Sequence, residues 1–217
     1  MIQAVIFDLD GVLVDTAHYH FIAWQRLARE LGIHFTEHEN EQLKGVSRMR
    51  SLEIILELGN LRLSQQEMER LATKKNEWFV SYVNAMKPDE IFPGVKELVQ
   101  DIRASGMKVA LASSSKNADT VLTLLNIKEY FDAIVDGTMI THTKPDPEIF
   151  LLAARKLNIP VTQCLVFEDA EAGVEAALAA GMKCIGVGSL QQLGKADVVV
   201  PKTADFTVQK IKAFNND

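Results

Sequence analysis

Six short apolar runs constrain the fold of this chain more than any other feature. Ile2–Phe7, Lys108–Ala112, Ala133–Val135, Cys164–Phe167, Lys183–Val187 and Val198–Val200 are nearly continuous in hydrophobicity rather than alternating. Strands of that kind are covered on both faces, as in a parallel sheet. Helical spacing fills the intervals. Val95, Leu98, Val99 and Ile102 form one stripe, and Val121, Leu122, Leu124 and Leu125 a second. Ile149, Phe150 and Leu152–Ala154 suggest a third, and Val174, Ala177 and Leu178 a fourth. Strand and helix alternating from about residue 90 onward predict an α/β fold with a Rossmann-like, doubly wound parallel sheet.

The stretch 15–87 breaks the rhythm because it holds no convincing strand. Phe21, Trp24, Leu27, Ala28 and Leu31 share one helical face, closed by Gly32. Thr36 with Glu39, and Ser64 with Glu67, each fit the reciprocal capping pattern that opens a helix. Met68, Leu71, Lys75, Trp78, Phe79, Tyr82 and Met86 then continue at helical spacing, until Pro88 and Pro93-Gly94 punctuate the chain. The expected organisation is a core of residues 1–14 and 88–217, with an all-helical module at 15–87 inserted after the first strand.

Charge narrows the partners. With 29 acidic against 23 basic residues the net charge is −6, which argues against nucleic acid and polybasic membrane surfaces. No apolar run approaches the ~18 residues of a membrane span. The start, MIQAVIFDLD, puts acids where a signal peptide has its apolar stretch. Cys164 and Cys184 sit inside apolar runs, as buried reduced thiols do. A cytoplasmic monomer acting on small molecules is the expectation.

Ligands of open α/β sheets bind beyond the C-terminal ends of the strands. Asp8-Leu9-Asp10-Gly11 occupies that place for the first strand. Two aspartates one residue apart share a side of an extended chain, and their charges oppose joint ionisation unless a cation or proton intervenes. One can then act as nucleophile and the other move protons. An isolated Asp-x-Asp is as readily a solvated turn; three further elements tilt the balance. Ser113-Ser114-Ser115-Lys116-Asn117 ends a strand and opens a helix, where hydroxyls and N–H groups suit phosphate oxygens. Lys144 precedes Pro145-Asp146-Pro147 and another helix. Glu168-Asp169 closes a buried strand with hard oxygen donors of the kind that suit Mg²⁺.

In that order, Asp8-Leu9-Asp10-Gly11, Ser113, Lys144 and Glu168-Asp169 resemble the four motifs of the haloacid dehalogenase superfamily, and the helical insert resembles its cap domain. The resemblance implies a Rossmann-like core, Mg²⁺ and a phospho-aspartate. Asp15-Thr16-Ala17-His18-Tyr19-His20, Asn40 to Arg48, Lys74-Lys75-Asn76 and Ala112 to Asn117 are further similar to β-phosphoglucomutases. Those interconvert β-glucose 1-phosphate and glucose 6-phosphate through β-glucose 1,6-bisphosphate. By that similarity Asp8 is the nucleophile and Asp10 the general acid/base, with His20 positioning it and Thr16 beside it at the hinge. Asp8, the carbonyl of Asp10 and Asp169 would hold Mg²⁺, with Glu168 close by. Ser113 and Lys144 would grip the transferring phosphate. Arg48, Ser115, Lys116 and Asn117 would hold the distal phosphate, while Lys44, Gly45, Val46, Ser51 and Lys75 face the sugar.

A mutase that binds a bisphosphate in two orientations needs two anion sites. Arg48 offers a bidentate fork for one of them. Its phosphorylated state must also wait for a sugar hydroxyl rather than water, which calls for a lid. A sugar-phosphate phosphatase would need only the transfer site, and a silent sugar-phosphate sensor would not need both Asp8 and Asp10. Other features take plainer readings. His18 and His20 do not face each other on a helix. Gly186-Val187-Gly188 lacks the rest of a dinucleotide fingerprint. Trp24 and Trp78 read as packing residues, and Thr141-His142-Thr143 is assigned no role.

Overall fold

The computed structural model describes residues 1–43 and 46–213. Six strands form one parallel sheet: β1 (Ala4–Phe7), β2 (Lys108–Ala112), β3 (Ala133–Val135), β4 (Cys164–Glu168), β5 (Lys183–Val187) and β6 (Val198–Val200). Their order across the sheet is β3-β2-β1-β4-β5-β6, the doubly wound order with its switch point between β1 and β4. The runs expected to be strands are strands, apart from Ile2 and Gln3, which lead into β1.

Both faces of the sheet are covered, which is why the runs lack alternation. Val5, Phe7, Val109, Leu111, Leu165 and Phe167 enter one cluster, with α5 (Val95–Ala104) and α6 (Ala118–Leu124) packed on it. Ala4, Ile6, Ala110, Ala112, Cys164 and Val166 enter the other, beneath α7 (Glu148–Leu157) and α8 (Glu171–Ala179). Cys164 and Cys184 are buried and unpaired. Two short helices, α9 (Leu190–Leu193) and α10 (Val208–Ala213), complete the sheet unit.

Between β1 and β2 run α1 (Ala17–Glu30), α2 (Glu37–Asn40), α3 (Arg48–Leu58) and α4 (Gln65–Val83). Trp24, Leu27, Phe35, Leu52, Ile55 and Leu71 give these helices a cluster of their own. Both reciprocal caps form, at Thr36/Glu39 and Ser64/Glu67, although the first opens a helix of only four residues. The chain leaves and returns at one place, where Val14 bridges Ile91 and the Tyr19 hydroxyl donates to Glu90 Oε2 at 2.7 Å. Among the described residues no helix is long and apolar enough to cross a membrane.

Candidate active site

The strand order brings two of the acidic motifs together. β1 and β4 are neighbours in register, Phe7 opposite Phe167, so Asp8 and Glu168 emerge side by side at the switch point. The Asp8 N–H donates to the Phe167 carbonyl at 3.0 Å, extending the ladder by one bond. Lys144 reaches in from the loop before α7. Its Nζ donates to Asp8 Oδ1 and to Glu168 Oε1, at 2.5 Å each, with all three side chains buried. The Ala170 N–H fills Glu168 Oε2 at 2.9 Å.

The electrostatics follow from that geometry. Burial disfavours the Lys144 ammonium, but the charges of Asp8 and Glu168 and their hydrogen bonds outweigh it and hold its pKa above the ordinary value. Burial pushes the Glu168 carboxyl up, with Asp8 adding to the shift and Lys144 opposing it. Asp10 sits deep in the cleft, its N–H donating to Asp8 Oδ2 at 3.0 Å. Burial, and then the Asp8 charge, push its carboxyl up to about 8. Two neighbouring carboxyls, one of them with its pKa pushed up by burial, are an arrangement that can divide proton transfer from other work. Among the described residues, Asp10 Oδ1 and the hydroxyl of buried Thr16 have no hydrogen-bond partner.

These groups border a cavity of about 360 Å³. Of the residues anticipated from sequence, Asp8, Asp10, His20, Val46, Arg48, Ser51, Lys75, Ser115, Lys116, Asn117, Glu168 and Asp169 line it. Ser113, Lys144 and Thr16 are buried behind its wall. Ser113 Oγ accepts the Ser115 N–H at 3.1 Å, and Ser115 Oγ accepts the Asn117 N–H at 3.2 Å, so successive hydroxyls brace the turn. Lys44 and Gly45 lie outside the described residues.

The helical segment supplies the opposite wall. Lys75 is 1% exposed; its Nζ lies 2.6 Å from His20 Nδ1 and 4.5 Å from the centre of the Trp24 ring. Burial, then the Lys75 and Arg48 charges, hold the His20 imidazole well below its usual pKa, and burial with the Arg48 charge does the same to Lys75. A neutral imidazole keeps one proton, and Nδ1 accepts from Lys75 in the tautomer that carries it on Nε2. The His20 ring stacks on Phe79 at 3.9 Å between centroids. Arg48, at the start of α3, is partly buried, and burial lowers its pKa. Trp24 is therefore both a packing residue and part of the cavity wall.

Sequence reasoning overlooked several contributors. Glycines at three positions are space for site groups: a Cβ on Gly173 would stand 1.8 Å from Glu168 Oε1, one on Gly11 2.0 Å from Asp169 Oδ2, and one on Gly137 2.2 Å from the Ser114 carbonyl. Thr141 and Thr143 line the cavity. The ligating atoms of His142, Asp146 and Glu148 lie within 4.8 Å of one another. Glu148 already accepts the N–H groups of Thr141 and His142, and Asp146 accepts that of Glu148. That group clamps the loop leading to Lys144. By contrast, the carboxylates of Asp8 and Asp169 at the cavity are hard oxygen donors with no sulfur or imidazole among them, a set that fits Mg²⁺.

The sequence matches the haloacid dehalogenase-like hydrolase family over residues 2–181. It is 43% identical to a β-phosphoglucomutase of Bacillus subtilis, over 95% of this chain and 92% of that one. A phosphorylated carbohydrates phosphatase of Thermotoga maritima is 35% identical over 89% of each. The crystal structure of a β-phosphoglucomutase from Clostridium difficile matches with a TM-score of 0.96 at 43% identity, covering 100% of this chain and 98% of that one. The sheet order, the acid-lysine cluster at its switch point and these similarities agree: the chain belongs to the haloacid dehalogenase-like hydrolase family.

Proposed function

We propose that this chain is a phosphohexomutase that interconverts β-D-glucose 1-phosphate and D-glucose 6-phosphate through β-glucose 1,6-bisphosphate. Asp8 attacks the phosphorus of the bisphosphate, and the bond to the sugar oxygen breaks. Asp10, protonated because its pKa is pushed up to about 8, gives its proton to that oxygen. Glucose 6-phosphate leaves and β-glucose 1-phosphate takes its place; Asp10 takes the proton of its C6 hydroxyl, which attacks the aspartyl phosphate, frees Asp8 and re-forms the bisphosphate, which then turns around. Lys144 and Ser113 hold the transferring phosphoryl oxygens. His20 and Thr16 steer Asp10. Mg²⁺, used generally in this family, would be held by Asp8, the Asp10 carbonyl and Asp169, and would neutralise charge on the phosphoryl group. Glu168, with both oxygens committed to Lys144 and Ala170, orients the lysine.

The observation that carries a mutase over a phosphatase is the second wall. Arg48, Ser51 and Lys75 from the helical segment face Ser115, Lys116 and Asn117 across one cavity. We read residues 15–87 as a cap, residues 1–14 with 88–217 as the core, and Arg48 with Ser115, Lys116 and Asn117 as the distal phosphate site. Val46, Ser51 and Lys75 then face the sugar. The acidic net charge of −6 supports small sugar phosphates rather than nucleic acid as partners, and our reading is a cytoplasmic monomer.

The test supplies Mg²⁺, β-glucose 1-phosphate and a trace of bisphosphate, and follows glucose 6-phosphate and free phosphate separately. Glucose 6-phosphate should form well ahead of phosphate; the reverse would identify a phosphatase, and no turnover of either a sensor. Arg48→Ala should lower mutase kcat/KM by about 100-fold, the scale of a lost bidentate phosphate contact, while hydrolysis of a small aryl phosphate changes by less than about 3-fold. Equal losses in both reactions would remove Arg48 from the distal site.

A further inference from the structure

We infer that Asn76 is a positioning residue that acts through Asn117, tying the helical segment to the phosphate-facing loop of the sheet unit. The inference rests on the phosphohexomutase reading of that loop.

Asn117 Nδ2 donates to Asn76 Oδ1 at 2.9 Å, joining side chains 41 residues apart. One comes from α4 and the other from the turn between β2 and α6. Asn117 occupies the N-cap position of α6, where an asparagine ordinarily spends its side-chain oxygen on the helix's own N–H groups. Here it makes no such bond. Its backbone N–H is taken by Ser115 Oγ, and its amide is turned outward to the helical segment. A good capping residue has been diverted to a bridge.

Asn76 follows Lys75 on the same helix. Lys75 points inward to His20 and Trp24, while Asn76 reaches the loop of the opposite wall. Neighbouring residues of α4 therefore address both walls of the cavity. The NH₂ group of an asparagine carries two hydrogens. With one given to Asn76, the plane of the Asn117 amide is fixed, and the second is presented to a phosphate oxygen. A phosphate bound by Asn117 and a closed helical segment then stabilise each other, and the coupling is reciprocal.

The test is a double-mutant cycle on Asn76→Ala and Asn117→Ala. It is read on KM and kcat for β-glucose 1-phosphate and on the equilibrium affinity for glucose 6-phosphate by calorimetry. Asn117→Ala should weaken affinity about 10-fold, a lost hydrogen bond to a charged group. Asn76→Ala should weaken it about 3-fold, the scale of one neutral hydrogen bond. The double variant should be no worse than Asn117→Ala alone. KM should carry the effect, with kcat within about 2-fold. Asn76→Asp keeps an acceptor oxygen and should restore near wild-type affinity at high salt, where its added charge is screened. Losses that multiply in the double variant, or an Asn76→Ala affinity equal to wild type, would overturn the inference. If the coupling in affinity appears but no glucose 6-phosphate forms, the mutase reading falls and the role of Asn76 stands.

Discussion

Asp8→Ala should abolish phosphoryl transfer, lowering kcat by about 10⁴-fold or more, because it removes the carboxylate proposed to carry the phosphoryl group. The same change should leave the fold intact. Asp8, Glu168 and Lys144 form a buried group of two negative charges and one positive. Removing Asp8 leaves a neutral Lys144–Glu168 pair at 2.5 Å, so no buried charge is stranded. Glucose 6-phosphate formation and the appearance of a phosphoryl adduct in the intact mass check the first half; the thermal midpoint checks the second. Residual transfer within about 100-fold of wild type would reject Asp8 as the nucleophile.

Lys144→Met should do what Asp8→Ala does not, and destabilise the protein as well as silence it. Two buried carboxylates then face each other without a cation, a loss of about 3–5 kcal/mol when both are ionised. The sign of the pH dependence follows from Glu168. Burial already raises its pKa above the ordinary 4.5, and Lys144 is what opposes the shift. Without the lysine the folded-state value rises further. A group whose pKa is raised on folding costs stability as pH climbs from its unfolded value through its folded one. The deficit of Lys144→Met should therefore be small in acid and grow as pH rises above 4.5, measured by urea unfolding with a chelator present. A deficit that does not change with pH would mean that Lys144 packs there without acting as the counter-ion.

The strands were legible in the sequence because their apolar runs report coverage on both faces, a local property. Their order was not, since nothing within Ala4–Phe7 says which strand lies on either side. The adjacency of Asp8 and Glu168 depends on that order. Motif spacing placed the acids and Lys144 at the ends of elements, but not the three-way hydrogen bonding among them. The His20–Lys75 contact spans 55 residues and crosses two helices, so Lys75, turned toward the sugar by resemblance, carried no local sign of its histidine partner. The role of Gly11, Gly137 and Gly173 was not legible for a different reason. Their contribution is empty volume, and volume reserved for a distant carboxylate or carbonyl leaves no mark on the neighbouring residues. The helix α3 lacks a strong signal for its start beyond Ser47, whose hydroxyl accepts the Arg50 N–H.

The central position of β1 has a consequence for how the protein is made. Ala4 pairs with Lys108 on one side and Cys164 on the other, so the first strand synthesised waits for partners 104 and 160 residues downstream (108 − 4 and 164 − 4). Closing loops of that length is slow, and an unpaired AVIF segment is a hazard while it waits. The helical insert shortens the wait. It carries its own apolar cluster and local caps, so it can form from nearby contacts, and its two ends meet where Val14 bridges Ile91. Once they meet, the closure left between β1 and β2 runs only through the short segments 8–14 and 91–107. The insert can thus act in folding as well as wall the cavity, and Asp8 at the end of β1 gains its neighbour Glu168 only when β4 arrives.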